Sequence, residues 1–285
     1  MIQPEQIVEK IRDIPPLPDV AVKIWRLSNS PDSSARDMVD VMKFDPGITA
    51  RVLRLCNSAF FGLPRKVTSL QHATVYLGMN EIVNIVYMSC VGNYYGNPHP
   101  AYGMEKGDLW RHSVAVALTS QDIAQEIKYP ETQAVFTAGL LHDLGKLLIH
   151  EYVNQRLTEI QDAVENQNLR YYDAEREVLG MDHCQVGELV ANVWNLPATL
   201  RSAIRYHHAP QDAEAEPQIA AIVHIANVFC RISGLGTPLS REDQYQFCDL
   251  ALQTVGLDAD EILERQEHYF ELYHNASDLL QVVPD

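Results

Sequence analysis

No stretch of this chain alternates apolar and polar residues over a useful length, and no Asn-Gly or Asp-Gly pair marks a hairpin turn. Apolar residues recur instead at the three- and four-residue spacing of helices that bury one face. Ile7, Val8 and Ile11 form such a stripe, as do Val20, Ile24 and Leu27. Asp45-Pro46 reads as a helix start, because Asp accepts orphan N–H groups and proline fits the first turn. Pro15-Pro16-Leu17-Pro18 must be extended, since proline excludes helix before itself. The pattern predicts an all-α protein with helices near 4–11, 45–57, 69–78, 80–92, 105–128, 131–149, 151–168, 171–179, 183–195, 197–208, 216–233, 240–254 and 259–275. Two more are expected from about Asp19 and after a Ser33-Ser34 cap. The turn-rich run Asn93 to Gly103 is the expected boundary between an N-terminal helical lobe, 1–98, and a second lobe, 99–285.

The 285 residues carry a formal net charge of −16, which argues against binding nucleic-acid phosphates. A helix-turn-helix in the first lobe is disfavoured for the same reason. Five cysteines, Cys56, Cys90, Cys184, Cys230 and Cys248, form no Cys-x-x-Cys pair and read as small buried hydrophobes in a reducing compartment. The N-terminus shows no signal-peptide pattern, and the apolar run around 134–149 is too short and too polar to span a bilayer. A cytoplasmic protein that engages no membrane is expected.

The chemistry concentrates at Leu140-Leu141-His142-Asp143-Leu144-Gly145-Lys146, where an imidazole and a carboxylate interrupt an apolar run. Adjacent His and Asp can serve one metal site as nitrogen and oxygen ligands. Further donors flank the pair. Asp108 and His112 lie four apart on one helix face, His183 opens a helix, and His207-His208 closes one. Such a set between helices suits a divalent metal, one or two ions, with iron favoured over manganese, zinc or nickel. Plainer readings stand beside these. Gly145 can be a left-handed helix stop, Lys146 can complement a helix C-terminus, and His207-His208 can be a polar helix end. His72, His99, His150, His224, His268 and His274 read as caps or surface residues.

Taken together, Phe44-Asp45-Pro46, Leu53-Arg54-Leu55-Cys56-Asn57-Ser58, Ser69-Leu70-Gln71-His72-Ala73, His142-Asp143, Gly180-Met181-Asp182-His183 and Trp194-Asn195-Leu196-Pro197 resemble the HDOD family (HD-related output domain) of bacterial signalling proteins. The resemblance implies a two-lobed helical fold whose second lobe is similar to HD-superfamily phosphohydrolases, and an output role that is generally non-catalytic. It places Asp108, His112, His142, Asp143, His183, His207 and His208 on metal-ligand positions. Asn227, a further candidate ligand through its amide oxygen, stands where active HD enzymes carry a final Asp, and no Gly-Tyr-Pro segment follows His207-His208. The expected function is a signalling output module that acts through protein partners, with a metal in its pocket and room for a nucleotide. The competing expectation is a metal-dependent phosphohydrolase acting on a nucleotide or cyclic dinucleotide, with Asp143 and Lys146 as catalytic groups.

Overall fold

The computed structural model describes residues 4–11, 14–236 and 246–281, and every regular element among them is a helix. The chain divides into two compact units, Leu17–Gly96 with Glu271–Asp285, and Met1–Pro16 with Asn97–Phe270. The division is discontinuous in sequence: helix α1 (Pro4–Ile11) packs on helices of the second unit, burying Ile7 and Ile11.

In the first unit, α2 (Asp19–Ser28), α3 (Ala35–Met42) and α4 (Pro46–Cys56) surround α5 (Leu70–Val91). Their starts follow local chemistry. Asp45 Oδ1 accepts the Ile48 N–H at 2.9 Å with Pro46 in the first turn, and Ser34 with Asp37 closes a capping box. The predicted break near Gly78 is present as a kink inside α5, where Gly78 takes φ 81° and ψ 168°, a conformation closed to residues with a Cβ. Asn57 pins the loop ahead of α5, donating to the Leu53 and Val67 carbonyls and accepting the Val67 N–H at 2.7 Å.

The second unit is built on α6 (Asp108–Glu126) and α7 (Thr132–Leu141), which pack along each other. Every residue from Gln133 to Leu141 is buried, as expected of a helix apolar on all sides. There follow α8 (Lys146–Gln155), α9 (Leu157–Asn166), α10 (Tyr171–Leu179), α11 (His183–Val193), α12 (Ala198–Tyr206), α13 (Pro217–Ser233), α14 (Asp249–Val255), α15 (Ala259–Glu264) and α16 (Gln266–Asn275). The short α17 (Ser277–Leu280) contacts residues 59–61 of the first unit's core chain. The N-terminal part of the helix expected over 240–254 lies outside the described residues.

Three expectations need correction. The helix expected over 131–149 is two helices, broken at His142 to Gly145, so the His-Asp pair occupies the buried turn that closes α7. Gly145 is no left-handed stop: its φ is −65° and it precedes α8. A glycine is needed there because a Cβ would fall 1.8 Å from the His183 carbonyl oxygen and 2.6 Å from the Gly187 nitrogen. That close approach of α8 to α11 brings His183 to the His-Asp turn. Lys146 sits in the first turn of its helix, the positive pole of the macrodipole, so complementing a C-terminus cannot account for it.

Candidate metal centre

Asp143 is the hub. Its side chain is 1% exposed, and both oxygens face basic groups. Oδ1 lies 3.4 Å from His183 Nε2 and 3.7 Å from His207 Nε2. Oδ2 accepts from Lys146 Nζ at 2.7 Å and lies 3.3 Å from His142 Nε2, 3.7 Å from an Arg231 nitrogen and 3.8 Å from His112 Nε2. Burial alone would push the Asp143 carboxyl up. His142 and Lys146 beside it overrule that and hold it well below the usual carboxylate range.

The imidazoles are oriented from behind. His142 Nδ1 donates to the Gly139 carbonyl at 2.7 Å, and His207 Nδ1 to the Ile204 carbonyl at 2.9 Å, each reaching back one helical turn. Each bond leaves the Nε2 lone pair directed at Asp143. His183 is held by a carboxylate: Glu175 Oε2 accepts its Nδ1–H at 2.7 Å and its backbone N–H at 2.8 Å, while Glu175 Oε1 accepts the Tyr102 hydroxyl at 2.7 Å. A carboxylate behind a histidine is the arrangement that orients metal-bound imidazoles. Burial pushes the pKa of His112 and His207 well down, helped by Arg231 at the first and His142 at the second, whereas at His183 burial is outweighed by Cys184 and Glu175, which raise it well above the usual imidazole range. His208, like His112 and His207, is lowered, by burial and then by His207, and its ring stacks on Tyr172 with centroids 4.6 Å apart.

His142 Nε2, His183 Nε2 and Asp143 Oδ1 are buried without a hydrogen-bond partner. Leaving three such atoms unpaired is costly, and a cation between them removes the cost. The donors therefore fit a divalent metal of the kind that accepts mixed imidazole and carboxylate ligands. They form two separate groups, His112 with His142 and Asp143, and His183 with Cys184, His207 and His208.

Two expected ligands are placed differently. Asp108 lies one turn from His112 but joins neither group. Standing at the start of α6, its carboxylate is drawn to the Glu105 N–H at 2.6 Å and to the Arg111 guanidinium. Asn227 does lie in the pocket, 2% exposed, but its Oδ1 accepts the Nε2–H of His112 at 3.0 Å. Two expected surface histidines are also buried. His99 is 1% exposed and packs edge-on against His150, and His224 joins the His207 carbonyl to the Cys248 N–H that precedes α14.

Sequence reasoning missed four groups here. Glu175 and Tyr102 carried no readable signal. Arg231, a lone cation at the end of an apolar helix, did. So did Cys184, adjacent to His183, whose Sγ lies 3.9 Å from His207 Nε2 and whose pKa burial raises.

An all-helical unit with a buried His-Asp turn and imidazoles converging from three further helices defines an HD-like pocket. Consistent with that, the family model of the HDOD domain matches residues 14–210, and the chain belongs to the HDOD family. It is similar over 96% of its length to an HDOD domain protein of unknown function from Geobacter sulfurreducens, covering 97% of that chain at 23% identity and a TM-score of 0.78. A Shewanella amazonensis SB2B protein, provisionally named a phosphohydrolase, matches over 94% of this chain and 97% of its own, at 24% identity and TM-score 0.70. A Marinobacter aquaeolei VT8 protein, provisionally named a signal transduction protein, matches 99% of this chain at 20% identity and TM-score 0.77, with 61% of its own chain covered. An uncharacterized protein of Treponema pallidum (strain Nichols) is 25% identical over 237 residues, 81% of this chain and 45% of its own, so the chain spans under half the length of that relative. Among the described residues, no helix is long and apolar enough to cross a membrane.

Proposed function

We propose that this HDOD protein is a signalling output module whose second unit holds a divalent metal, iron first among the candidates, as an ordering element rather than as the centre of an efficient phosphodiesterase. The observation that carries the reading is Asn227. Its amide oxygen engages His112 at 3.0 Å, so a neutral group stands where a hydrolase of this fold, by resemblance, has an anionic ligand. An amide oxygen is a weaker donor to a hard cation than a carboxylate and bridges two metals poorly.

When bound, the metal would lower the pKa of a coordinated water and polarise a phosphoryl oxygen. Asp143, His142, His183 and His207 would hold it. Glu175 fixes the ring of His183, and Lys146, 2.7 Å from Asp143 and 5.2 Å from the Tyr102 ring centroid, keeps the pocket's charge in balance. Because that ammonium is committed to Asp143, it is not at liberty to neutralise a phosphoryl group. Communication with protein partners is the remaining role. Phe44, Val75 and Tyr76, 80%, 78% and 51% exposed on the first unit, are side chains of the kind that protein contacts bury.

The test is turnover by metal-loaded protein on bis-p-nitrophenyl phosphate and on cyclic and linear nucleotides, beside Asn227→Asp. The reading expects wild type to match the metal-only blank, whatever Asn227→Asp gains. Turnover by wild type that Asp143→Ala abolishes would replace it with the phosphohydrolase reading.

A further inference from the structure

The chain as a whole is acidic, yet from Pro46 to Asn80 it contains no Asp or Glu, while Arg51, Arg54, Arg65 and Lys66 all fall in that stretch. Three of these cations meet at one place. Arg54, on the last turn of α4, and Arg65 and Lys66, in the loop that follows, line a cavity of about 850 Å³ in the first unit. All three are exposed. Other surface cations have carboxylates beside them, Lys43 with Asp40 and Arg170 with Asp173 for instance, but these three make no ion pair among the described residues. Leu53, Leu63 and Val67 give the same cavity an apolar wall. Ser58 lines it too, and its Oγ is buried without a hydrogen-bond partner.

The loop is held in shape by the chain itself, because Asn57 ties its two ends through the Leu53 carbonyl and both backbone groups of Val67. The negative pole of α4 lies nearby and disfavours an anion. That pole amounts to roughly half a charge against three full cations, and the Leu53, Arg54 and Leu55 carbonyls already accept from Asn57 and Ser58. The carboxylate of Asp278 also reaches the loop, where it is engaged by the Ala59 N–H at 2.5 Å.

We propose that this cavity is a second ligand site, separate from the His-Asp pocket, and that it takes a phosphorylated small molecule of nucleotide size. Phosphate oxygens sit on Arg54 and Arg65, whose planar guanidiniums each suit two of them. Lys66 adds a further charge, and the Ser58 hydroxyl a donor. The apolar wall takes the uncharged body of the ligand. The volume separates this class from inorganic phosphate, since cavities that hold organic ligands run to roughly 300–1,000 Å³. A nucleic-acid strand fits less well, because a long polyanion meets the repulsion of a chain at −16, whereas a small ligand meets the local field.

The test is isothermal titration of the full, metal-stripped chain at low salt with ADP, GDP, pyrophosphate, inorganic phosphate and adenosine. ADP or GDP should bind one per chain, at least tenfold tighter than pyrophosphate, with inorganic phosphate weaker still and adenosine giving no measurable heat. Affinity should fall as salt is added. Arg54→Gln and Arg65→Gln should each lose at least tenfold, while Asp143→Ala should stay within about twofold of wild type. No binding of either nucleotide would overturn the assignment, as would pyrophosphate binding as tightly as both. Nucleotide affinity that survives in the Arg54→Gln/Arg65→Gln double variant, or disappears from folded Asp143→Ala, would overturn it too. So would a duplex oligonucleotide that displaces the nucleotide at lower concentration than the nucleotide itself. Should Asp143→Ala fail to fold, the arginine variants, exposed and with unchanged melting temperatures, still decide. The metal reading stands or falls separately, since no metal is present in the titration.

Discussion

Glu175 is fully buried and accepts three hydrogen bonds, from His183 Nδ1, the His183 backbone and Tyr102. Glu175→Gln keeps the shape and lets the amide oxygen serve both His183 donors, but removes the charge and turns an NH₂ toward the Tyr102 hydroxyl. Hydrogen bonds to a charged group are worth ~1.5–3 kcal/mol and neutral ones ~0.5–1.5, so the His183 contact should weaken by about 1–2 kcal/mol. Orienting partners behind metal-bound imidazoles typically carry 10–100-fold in metal affinity, the same order. Metal affinity of Glu175→Gln, measured by competition with a chelating dye, should therefore fall about 10- to 100-fold while circular dichroism stays native. Glu175→Ala is harsher, since it leaves three buried donors without partners at roughly 1–3 kcal/mol each, and should lower the melting temperature even without metal. An affinity for Glu175→Gln within twofold of wild type would refute the claim that Glu175 aims His183 at a metal.

Other outcomes follow from neighbouring geometry. Gly145→Ala sets a methyl 1.8 Å from the His183 carbonyl, a clash with backbone that cannot rotate away, so its cost should reach or exceed the upper end of the ~1–3 kcal/mol usual for overpacking. Denaturant unfolding that leaves the variant as stable as wild type would contradict the close approach of α8 to α11. Burial, aided by His150 and Lys146, holds the His99 pKa down to about 4 against 6.5 for a free imidazole. The unfolded chain then binds more protons between these values, so stability falls as pH drops through that window and is restored above it. Melting temperatures of His99→Phe across pH 4 to 7 should fall less steeply than those of wild type, and equal slopes would show His99 to be solvated. Saturating metal stabilises only the folded state, by ~2.7 kcal/mol at a hundredfold excess over Kd. Chelation should therefore lower the melting temperature of wild type and leave Asp143→Ala unmoved.

Much of the fold was readable because helical periodicity and capping chemistry are local. Asp45-Pro46 and the Ser34–Asp37 box begin helices where their side chains say they should. The break at His142 was legible only in the plainer reading of Gly145 as a helix stop: Leu144, Leu147 and Leu148 continue the apolar pattern through it, and the close approach of α11, recorded in the missing Cβ of Gly145, fixes the turn. The same long-range cause explains the candidate site. His142, Asp143, His183 and His207 are chemically conspicuous and do meet. Asp108 shares a helix face with His112, yet a helix start offers its carboxylate nearer partners than the pocket does. Glu175 looks like any carboxylate of an exposed helix until the fold buries it behind His183. Arg231 could have been suspected, because a cation in an apolar helix requires a partner from elsewhere, and Asp143 is one.

The central claim is that the imidazoles around Asp143 form a metal site. Its most direct test is the metal content of wild-type protein, purified without chelators and reconstituted with iron under reducing conditions, beside His142→Ala and Asp143→Ala. The account predicts stoichiometric metal in wild type and its loss from both variants. Folded wild type that stays metal-free with iron, manganese, zinc and nickel would contradict it, and would leave the buried aspartate balanced by its neighbouring side chains, Lys146 and Arg231 among them.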